Sequence, residues 1–234
     1  MIAQVSIIVP TLNEGAVIET LLNTLQPLRA AGHQLIVSDG GSADDTCERA
    51  KPLADQLVSG SPGRAVQMNR GAELAAGQYL WFVHADSGFE QPVSDYVERI
   101  LRGGADWGRF DVRIDSRRLV FRLIAFLMNK RSCLSGIATG DQGIFVRRDL
   151  FMASGGYAPI ALMEDVELSR RLKRARRPTC QRLRLITSAR RWQRHGVWRT
   201  VLLMWRLRLA YFFGVAPEKL SRRYRACSSP THKS

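Results

Sequence analysis

The chain runs to 234 residues with 45% hydrophobic side chains, enough for one large α/β domain or two small ones around a real core. Its 35 Lys+Arg outnumber its 21 Asp+Glu, for a formal net charge of +14, and the excess sits at the back. Residues 1–100 carry 6 basic and 12 acidic side chains, whereas residues 170–225 carry 18 basic ones and Glu218 alone as an acid. The four cysteines, Cys47, Cys133, Cys180 and Cys227, are scattered; they exclude the usual zinc and disulfide frameworks and fit reduced thiols in a cytoplasmic protein.

The amino terminus, Met1-Ile2-Ala3-Gln4-Val5, lacks the charged and apolar regions of a signal peptide. No apolar stretch reaches the roughly 18 residues that a spanning helix needs. Gln4 to Val9 is a β-branched strand, and Pro10, which cannot donate to a ladder, is expected to end it. Thr11-Leu12-Asn13-Glu14 is a loop. Val17, Leu21, Leu22, Leu25 and Leu28 recur at helical spacing up to Gly32. Leu35-Ile36-Val37 is a second strand that stops at Ser38-Asp39-Gly40-Gly41-Ser42, and Ser42 or Asp44 is placed to cap a helix through about Lys51. Gln56 to Ser59 is a short third strand, and Arg64 to Ala76 is a helix closed by Gly77.

Tyr79-Leu80-Trp81-Phe82-Val83 is a continuous apolar run that ends in His84-Ala85-Asp86. Such a run reads as a strand buried on both faces. In an open α/β sheet, ligands collect just beyond the carboxyl ends of the strands. Asp86 therefore stands where chemistry is expected, although Asp before Ser87-Gly88 serves equally well to start a turn. The strand–helix alternation up to this point predicts a parallel sheet with right-handed crossovers. No G-x-G-x-x-G follows the first strand and no G-x-x-x-x-G-K-[ST] occurs, which excludes dinucleotide oxidoreductases and P-loop NTPases.

Farther on, Val93 to Leu101 is a helix and Trp107 to Ile114 a strand. Arg117 to Arg131 is an apolar run between basic ends. Thr139 to Gly143 is a polar loop before the strand Ile144-Phe145-Val146. A helix starts around Ala161-Leu162-Met163-Glu164-Asp165, Arg182 to Ile186 is a strand, and Val197 to Val215 is a long apolar helix interrupted by Arg199, Arg206 and Arg208. From about Ala226 the chain reads as a tail.

Three acidic positions stand at ends of elements: Asp39, Asp86 and Glu164-Asp165. Carboxylates there can accept hydrogen bonds from a base or ribose, hold a divalent cation, or take a proton from an attacking hydroxyl. Singly, each also serves as a turn or helix-start residue.

The segments Val5-Ser6-Ile7-Ile8-Val9-Pro10-Thr11-Leu12-Asn13-Glu14, Val37-Ser38-Asp39-Gly40-Gly41-Ser42-Ala43-Asp44-Asp45-Thr46, Gln67-Met68-Asn69-Arg70-Gly71 with Ala75-Ala76-Gly77-Gln78-Tyr79, and Glu164-Asp165 resemble the motifs of the family 2 glycosyltransferases over roughly Val5 to Trp192. That resemblance implies an α/β, Rossmann-like GT-A fold, with a mostly parallel central sheet flanked by helices. It implies that Pro10, Thr11, Glu14, Asp39, Arg64 and Ala85 bind a nucleotide-diphospho-sugar, with Asp39 at the base. Asp86, helped by His84, would hold a divalent cation, Mn²⁺ or Mg²⁺, and Asp165 would be the general base with Glu164 beside it. The implied reaction is inverting transfer to a hydroxyl acceptor. Two positions depart from the family pattern: His84 replaces the first carboxylate of Asp-x-Asp. Ser188-Ala189-Arg190-Arg191-Trp192 keeps only the Arg-Trp of the processive Gln-x-x-Arg-Trp, so single-sugar addition is expected.

Arginines interleaved with apolar residues and with Trp192, Trp198, Trp205 and Tyr211 give the back half the look of interfacial helices on an anionic membrane. Packing across the domain or a homodimer face, with the arginines reaching solvent, is the plainer alternative. The apolar interleaving and the absence of a known motif speak against nucleic acid. The expected organisation is a domain over 1–190, a basic amphipathic helical region over 191–225 and a tail over 226–234, peripheral on the inner face of the cell membrane, with a lipid or other hydroxyl acceptor. Two other functions fit the same fold class. A nucleotidyltransferase needs a basic, Gly-rich loop after the first strand, which Pro10 to Glu14 is not. A catalytically inactive membrane-binding module rests on His84.

Overall fold

A computed structural model describes residues 4–228 of the chain. The elements in order are β1 (Val5–Thr11), α1 (Ile18–Ala30), β2 (Gln34–Asp39), α2 (Thr46–Ala50), β3 (Gln56–Ser59), α3 (Arg64–Glu73), β4 (Tyr79–Phe82), β5 (Gly88–Phe89) and α4 (Val93–Arg102). Then follow β6 (Trp107–Ile114), α5 (Leu119–Ser135), β7 (Phe145–Arg147), α6 (Arg148–Ala153), α7 (Glu164–Ala175), β8 (Thr179–Thr187), α8 (Arg190–His195), α9 (Val197–Phe212) and α10 (Pro217–Ser228). The eight strands form one sheet in the order β3-β2-β1-β4-β7-β6-β8-β5. β3, β2, β1 and β4 run parallel, as do β6 and β8, while β7 is antiparallel to both β4 and β6, and β5 to β8.

Side-chain alternation along the central strands builds two apolar layers. Ile7, Val9 and Trp81 face α1 and α4, where Leu22, Leu25 and Tyr96 meet them. Ile8, Ile36 and Phe82 face α3 and α7, against Met68, Tyr157 and Leu168. Trp81 is fully buried and stacks on Tyr96 with ring centroids 5.9 Å apart. Removing an aromatic anchor of this kind typically costs about 3–5 kcal/mol.

Several elements differ from the sequence expectation for identifiable reasons. β1 continues through Pro10 to Thr11. Its pairing with β4 ends at Ile8↔Phe82, so Pro10 lies where no β4 acceptor awaits its missing N–H. α2 begins at Thr46 with no side-chain cap, because Asp44 accepts instead from the Thr46 N–H and, across the loop, from the Gly15 N–H at 3.1 Å. α3 ends at Glu73, short of Ala76. α7 starts at Glu164 because Met163 takes a left-handed φ of 70° and breaks the incoming chain. The polar loop before β7 contains a 3-10 turn over Gly140–Gln142. β5 and α6 were not expected, being two and six residues long, too short for a periodic signal. The tail expected from Ala226 is still helical through Ser228, and residues 229–234 lie outside the described part.

The carboxyl-terminal helices pack on the sheet domain. Ala189, Val197 and Val201 join Phe121 and Ile124 of α5, and Leu207 and Leu220 join Met163. No described helix is long and apolar enough to cross a membrane.

Candidate active site

The parallel strands end together, and the loops beyond them carry the polar residues. Thr11 and Asp39 are partners at the tips of β1 and β2, and β1 lies between β2 and β4. Asp39 is buried. Its Oδ1 accepts from Thr11 Oγ1 at 3.2 Å and Ser42 Oγ at 2.5 Å, and its Oδ2 from the Gly41 and Ser42 N–H groups at 2.8 and 2.9 Å. A carboxylate has about four acceptor positions, and this loop uses them all. Burial works to raise the Asp39 pKa, but the Ser42 and Gly41 hydrogen bonds outweigh it and hold the carboxyl below its usual range. Asn13 has a left-handed φ of 55°; its N–H donates to Ser42 Oγ at 2.8 Å, and its Oδ1 accepts from the Ala43 N–H at 2.9 Å.

Gln67 and Arg70 complete this corner, and neither stood out as a site residue in the sequence. The buried Gln67 Nε2 donates to the Thr11 and Ser38 carbonyls at 2.5 and 3.2 Å. Arg70 Nη1 donates to the Asp39 carbonyl at 3.0 Å. Both belong to one turn of α3, and their place in the family-like segment Gln67-Met68-Asn69-Arg70-Gly71, three residues apart, was the available signal.

The second half of the site forms where β4 ends. Ala85 continues the face of Trp81 and Val83 into the core, and the Ser87 N–H turns back to the His84 carbonyl at 3.0 Å. His84 is 7% exposed. Its Nδ1 lies 3.3 Å from Asp141 Oδ1, and its Cε1–Nε2 edge lies against Gly140, where a Cβ would come within 2.7 Å of both atoms. Asp86 points to the exterior.

Next to this loop stand Glu164 and Asp165 at the first turn of α7, after the left-handed Met163. Backbone in this region is sparsely populated for side chains other than glycine and clusters at functional sites. Asp165 accepts from the Gly140 N–H at 2.8 Å and from the Val166 N–H at 2.7 Å. Glu164 is 8% exposed and its Oε1 lies 4.0 Å from Arg64 Nη1, whose own side chain is 52% exposed. Burial, then the Asp165 charge, push the Glu164 pKa up, while Arg64 and His84 pull against them. Desolvation opposes the Arg64 charge, but Glu164, Asp141, Asp165 and Asp86 together outweigh it and raise its pKa. Glu14 is also shifted up, by burial and by Asp86, with Arg190, Arg64 and His84 opposing. The structure thus brings Glu14, Arg64, His84, Asp86, Glu164 and Asp165 into one electrostatic neighbourhood, and Asp141 with them. Pro10, Thr11 and Asp39 stand at the neighbouring strand ends.

Among the described residues no three His, Cys, Asp or Glu side chains converge to cage a metal ion. A small divalent cation commonly takes one or two carboxylates and completes its shell with substrate phosphate oxygens and water. The exposed Asp86 carboxylate beside open space fits that kind of site. The buried His84, engaged by Asp141 and Gly140, fits a supporting position beside it. A cavity of about 570 Å³ opens on the α1 side of Asp86, lined among others by Thr20, Asp115, Ser188, Arg190 and Gln193. Of the residues expected at the site, only Ala85 and Asp86 line it.

Residues 6–159, well over half of the chain, match the family model described as glycosyl transferase family 2. The chain is 32% identical over 193 residues to the succinoglycan biosynthesis protein ExoA of Rhizobium meliloti, covering 72% of this chain and 58% of that one. It is 30% identical over 166 residues to a PGL/p-HBAD biosynthesis glycosyltransferase of Mycobacterium tuberculosis, covering 65% and 62%. It therefore spans about three fifths of the length of these relatives. Glucosyl-3-phosphoglycerate synthase of M. tuberculosis, crystallised with Mn²⁺, UDP and glucosyl-3-phosphoglycerate, superposes with a TM-score of 0.59 at 24% identity, over 79% of this chain and 71% of that one. S. aureus TarS 1-349 in complex with UDP-GlcNAc gives 0.61 at 16%, over 79% and 58%. The fold is that of the GT-A glycosyltransferase structures, and by its sequence the chain belongs to glycosyl transferase family 2.

Proposed function

We propose that this chain transfers a single sugar, with inversion, from a nucleotide-diphospho-sugar to a hydroxyl acceptor at an anionic membrane surface. The observation that carries this reading is the arrangement of carboxylates. Asp86 stands in the turn beyond β4 and Glu164 and Asp165 at the start of α7, with Arg64 4.0 Å from Glu164 and in the electrostatic field of all three. Acidic groups from two separate elements, one beyond β4 and a pair at the start of α7, can serve a leaving group and an attacking hydroxyl separately.

In this mechanism the β1 and β2 loops receive the nucleoside. The Asp39 carboxylate, fixed by Thr11, Gly41 and Ser42, shapes the base pocket, and Pro10 and Glu14 form its wall with Arg64 and Ala85. Asp86 faces the diphosphate. A divalent cation, Mn²⁺ or Mg²⁺, when bound there, supplies positive charge to the departing nucleoside diphosphate; the Mn²⁺ and UDP in the M. tuberculosis relative support this choice. Asp165, oriented by the Gly140 N–H, takes the proton from the acceptor hydroxyl as its oxygen attacks the anomeric carbon. Glu164, whose carboxyl is pushed toward the neutral form, backs it. Ser188 at the first position of the processive motif favours one sugar per encounter.

The membrane part of the reading rests on two exposed apolar stripes. Trp198, Leu202, Trp205, Leu209 and Phe212 recur along one face of α9, and Leu119, Leu123, Phe126, Leu127 and Leu134 along one face of α5. Exposed apolar surface on this scale marks an interaction site. Arg117, Arg118, Arg122 and Lys130 flank the first helix, and Arg199 and Arg206 the second, all exposed. A second copy of so basic a face would be repelled, whereas an anionic bilayer complements both its charge and its apolar stripes. The basic region over 191–225 is therefore the docking region, with α5 as its partner. Free Cys47, Cys133 and Cys180 favour the cytoplasmic side.

The test is a thermal-shift screen of UDP-, GDP- and dTDP-sugars with Mn²⁺ or Mg²⁺, since a ligand that binds the folded state alone raises its stability. One nucleotide class should stabilise the protein in a metal-dependent way, and Asp86→Ala should remove the metal-dependent part. Indifference to every nucleotide sugar contradicts the reading.

A further inference from the structure

Beneath the two apolar stripes lies a pair of arginines that the protein itself does not neutralise. Arg131 of α5 and Arg208 of α9 are both half-buried. Among the described residues, Nε and Nη2 of Arg131 and Nε of Arg208 are shielded from solvent and meet no hydrogen-bond acceptor. Their neighbour Arg109 is fully buried, and its Nε likewise meets no acceptor, but its terminal nitrogens are engaged. It bonds to Asp111 and donates from Nη2 to the Asn129 carbonyl at 2.8 Å. Burial first, then repulsion from Arg208, pull the Arg131 pKa down to about 10, and Asp165 is the one carboxylate that pulls it back. Shielded guanidinium N–H groups without partners are costly, and the repulsion between the two like charges adds to the cost. An anion seated between them removes both penalties, and a phosphate, with three acceptor oxygens, matches the planar fork of a guanidinium.

We infer that Arg131 and Arg208 form an anion subsite for the phosphate headgroup of a lipid acceptor. Its apolar chain lies along the stripes of α5 and α9, and its hydroxyl is presented toward Asp165. The proposal rests on the glycosyl-transfer reading and narrows its acceptor to a phosphate-bearing lipid. Asp165, in electrostatic reach of Arg131, links the subsite to the proposed base, and the packing of Leu207 against Met163 holds α9 at the start of α7. A free phosphate would satisfy the same donors, but the stripes select a headgroup.

The experiment uses the full chain with Arg131→Met and Arg208→Met, and with Arg102→Met, exposed on α4 away from both stripes, as a control. Binding is read by co-sedimentation with phosphatidylcholine vesicles with or without phosphatidic acid. Melting temperature is read alone, with inorganic phosphate, and with a short-chain phosphatidic acid. The two subsite variants should lose about ten- to hundredfold in binding to the acidic vesicles, the control far less. Without any anion they should melt at or above the parent temperature, since an uncompensated buried charge has been removed. Short-chain phosphatidic acid should stabilise the parent more than inorganic phosphate does. Parent-like vesicle binding by both variants, or a sharp fall of both melting temperatures in the absence of anion, would overturn the subsite. Equal stabilisation by inorganic phosphate would overturn the lipid assignment. Nucleotide-sugar binding is measured beside these: its absence from the parent protein counts against glycosyl transfer, and the vesicle result still decides the subsite.

Discussion

Arg64 at the first turn of α3 reaches to 4.0 Å from Glu164 at the first turn of α7, joining two helices that are exactly one hundred residues apart in numbering. This contact ties the start of α3 to the acidic pair of α7. Arg64 draws the Glu164 pKa down, but burial and then the Asp165 charge outweigh it. Because the folded-state pKa of Glu164 is raised above its ordinary 4.5, the neutral form is the favoured one in the fold. The stabilising contribution is complete below the unfolded value and is lost as pH rises through the folded one. Glu164→Gln, which fixes a neutral side chain, should therefore gain melting temperature over the parent as pH rises past 4.5. Melting curves across pH check this, and a variant whose deficit widens toward neutral pH would contradict it.

Asp39 accepts four hydrogen bonds through two oxygens. Asp39→Asn puts an amide N–H where one pair of donors already points. We expect a loss of about 1–3 kcal/mol in stability and a KM for the donor that rises more than kcat falls. Steady-state kinetics decide it. A fall confined to kcat would assign Asp39 to the chemical step.

Gly140 touches both halves of the chemistry, with its N–H on Asp165 and its Cα against His84. Gly140→Ala should displace the imidazole and the loop, since the added Cβ would stand 2.7 Å from the ring. A misplacement of this order costs about 10²-fold in turnover, while donor binding survives. Parent-like turnover would mean that neither contact matters to the reaction.

How much of this was legible beforehand depends on whether a residue acts through pattern or through distance in sequence. The strands β1, β2 and β4 follow from apolar runs and punctuation, although β1 runs past Pro10 to Thr11, β2 runs on to Asp39 and β4 stops at Phe82, so the carboxyl edge of the sheet was readable within a few residues. Trp107–Ile114 fell where alternation put it. The neighbourhood of Asp86 and Glu164 was readable only through the family resemblance, because nothing local says that α7 folds back over β4. The Asp141–His84 and Gln67–Thr11 contacts have no periodic signature. Neither does Met163, a residue that rarely takes positive φ. The apolar run over Arg117 to Arg131 was visible, but its place beside α9 was not, since Phe121 and Val197 meet only in three dimensions.

The two stripes predict a graded membrane phenotype. Trp198→Ala with Trp205→Ala should weaken binding to anionic vesicles by about tenfold or more, since each buried aromatic contributes on the order of 1.5–3 kcal/mol. Leu123→Ala with Phe126→Ala should weaken it similarly through the other helix, and salt should weaken it further. Vesicle co-sedimentation over a salt series reads all three. Insensitivity to both pairs of changes would favour coverage of this face by another protein surface.

The most direct test of the central claim is the pair Asp165→Asn and Glu164→Gln, assayed for sugar transfer and separately for nucleotide-sugar binding. Removing a general base of this kind costs about 10²–10⁴-fold in rate, or about 3–5 kcal/mol of barrier. Asp165→Asn should show that loss with donor affinity kept, and Glu164→Gln should retain more activity than Asp165→Asn. Near-parent turnover in Asp165→Asn with a dead Glu164→Gln would exchange the two roles. Full activity in both variants would contradict the account and move the base elsewhere, to Asp141 first.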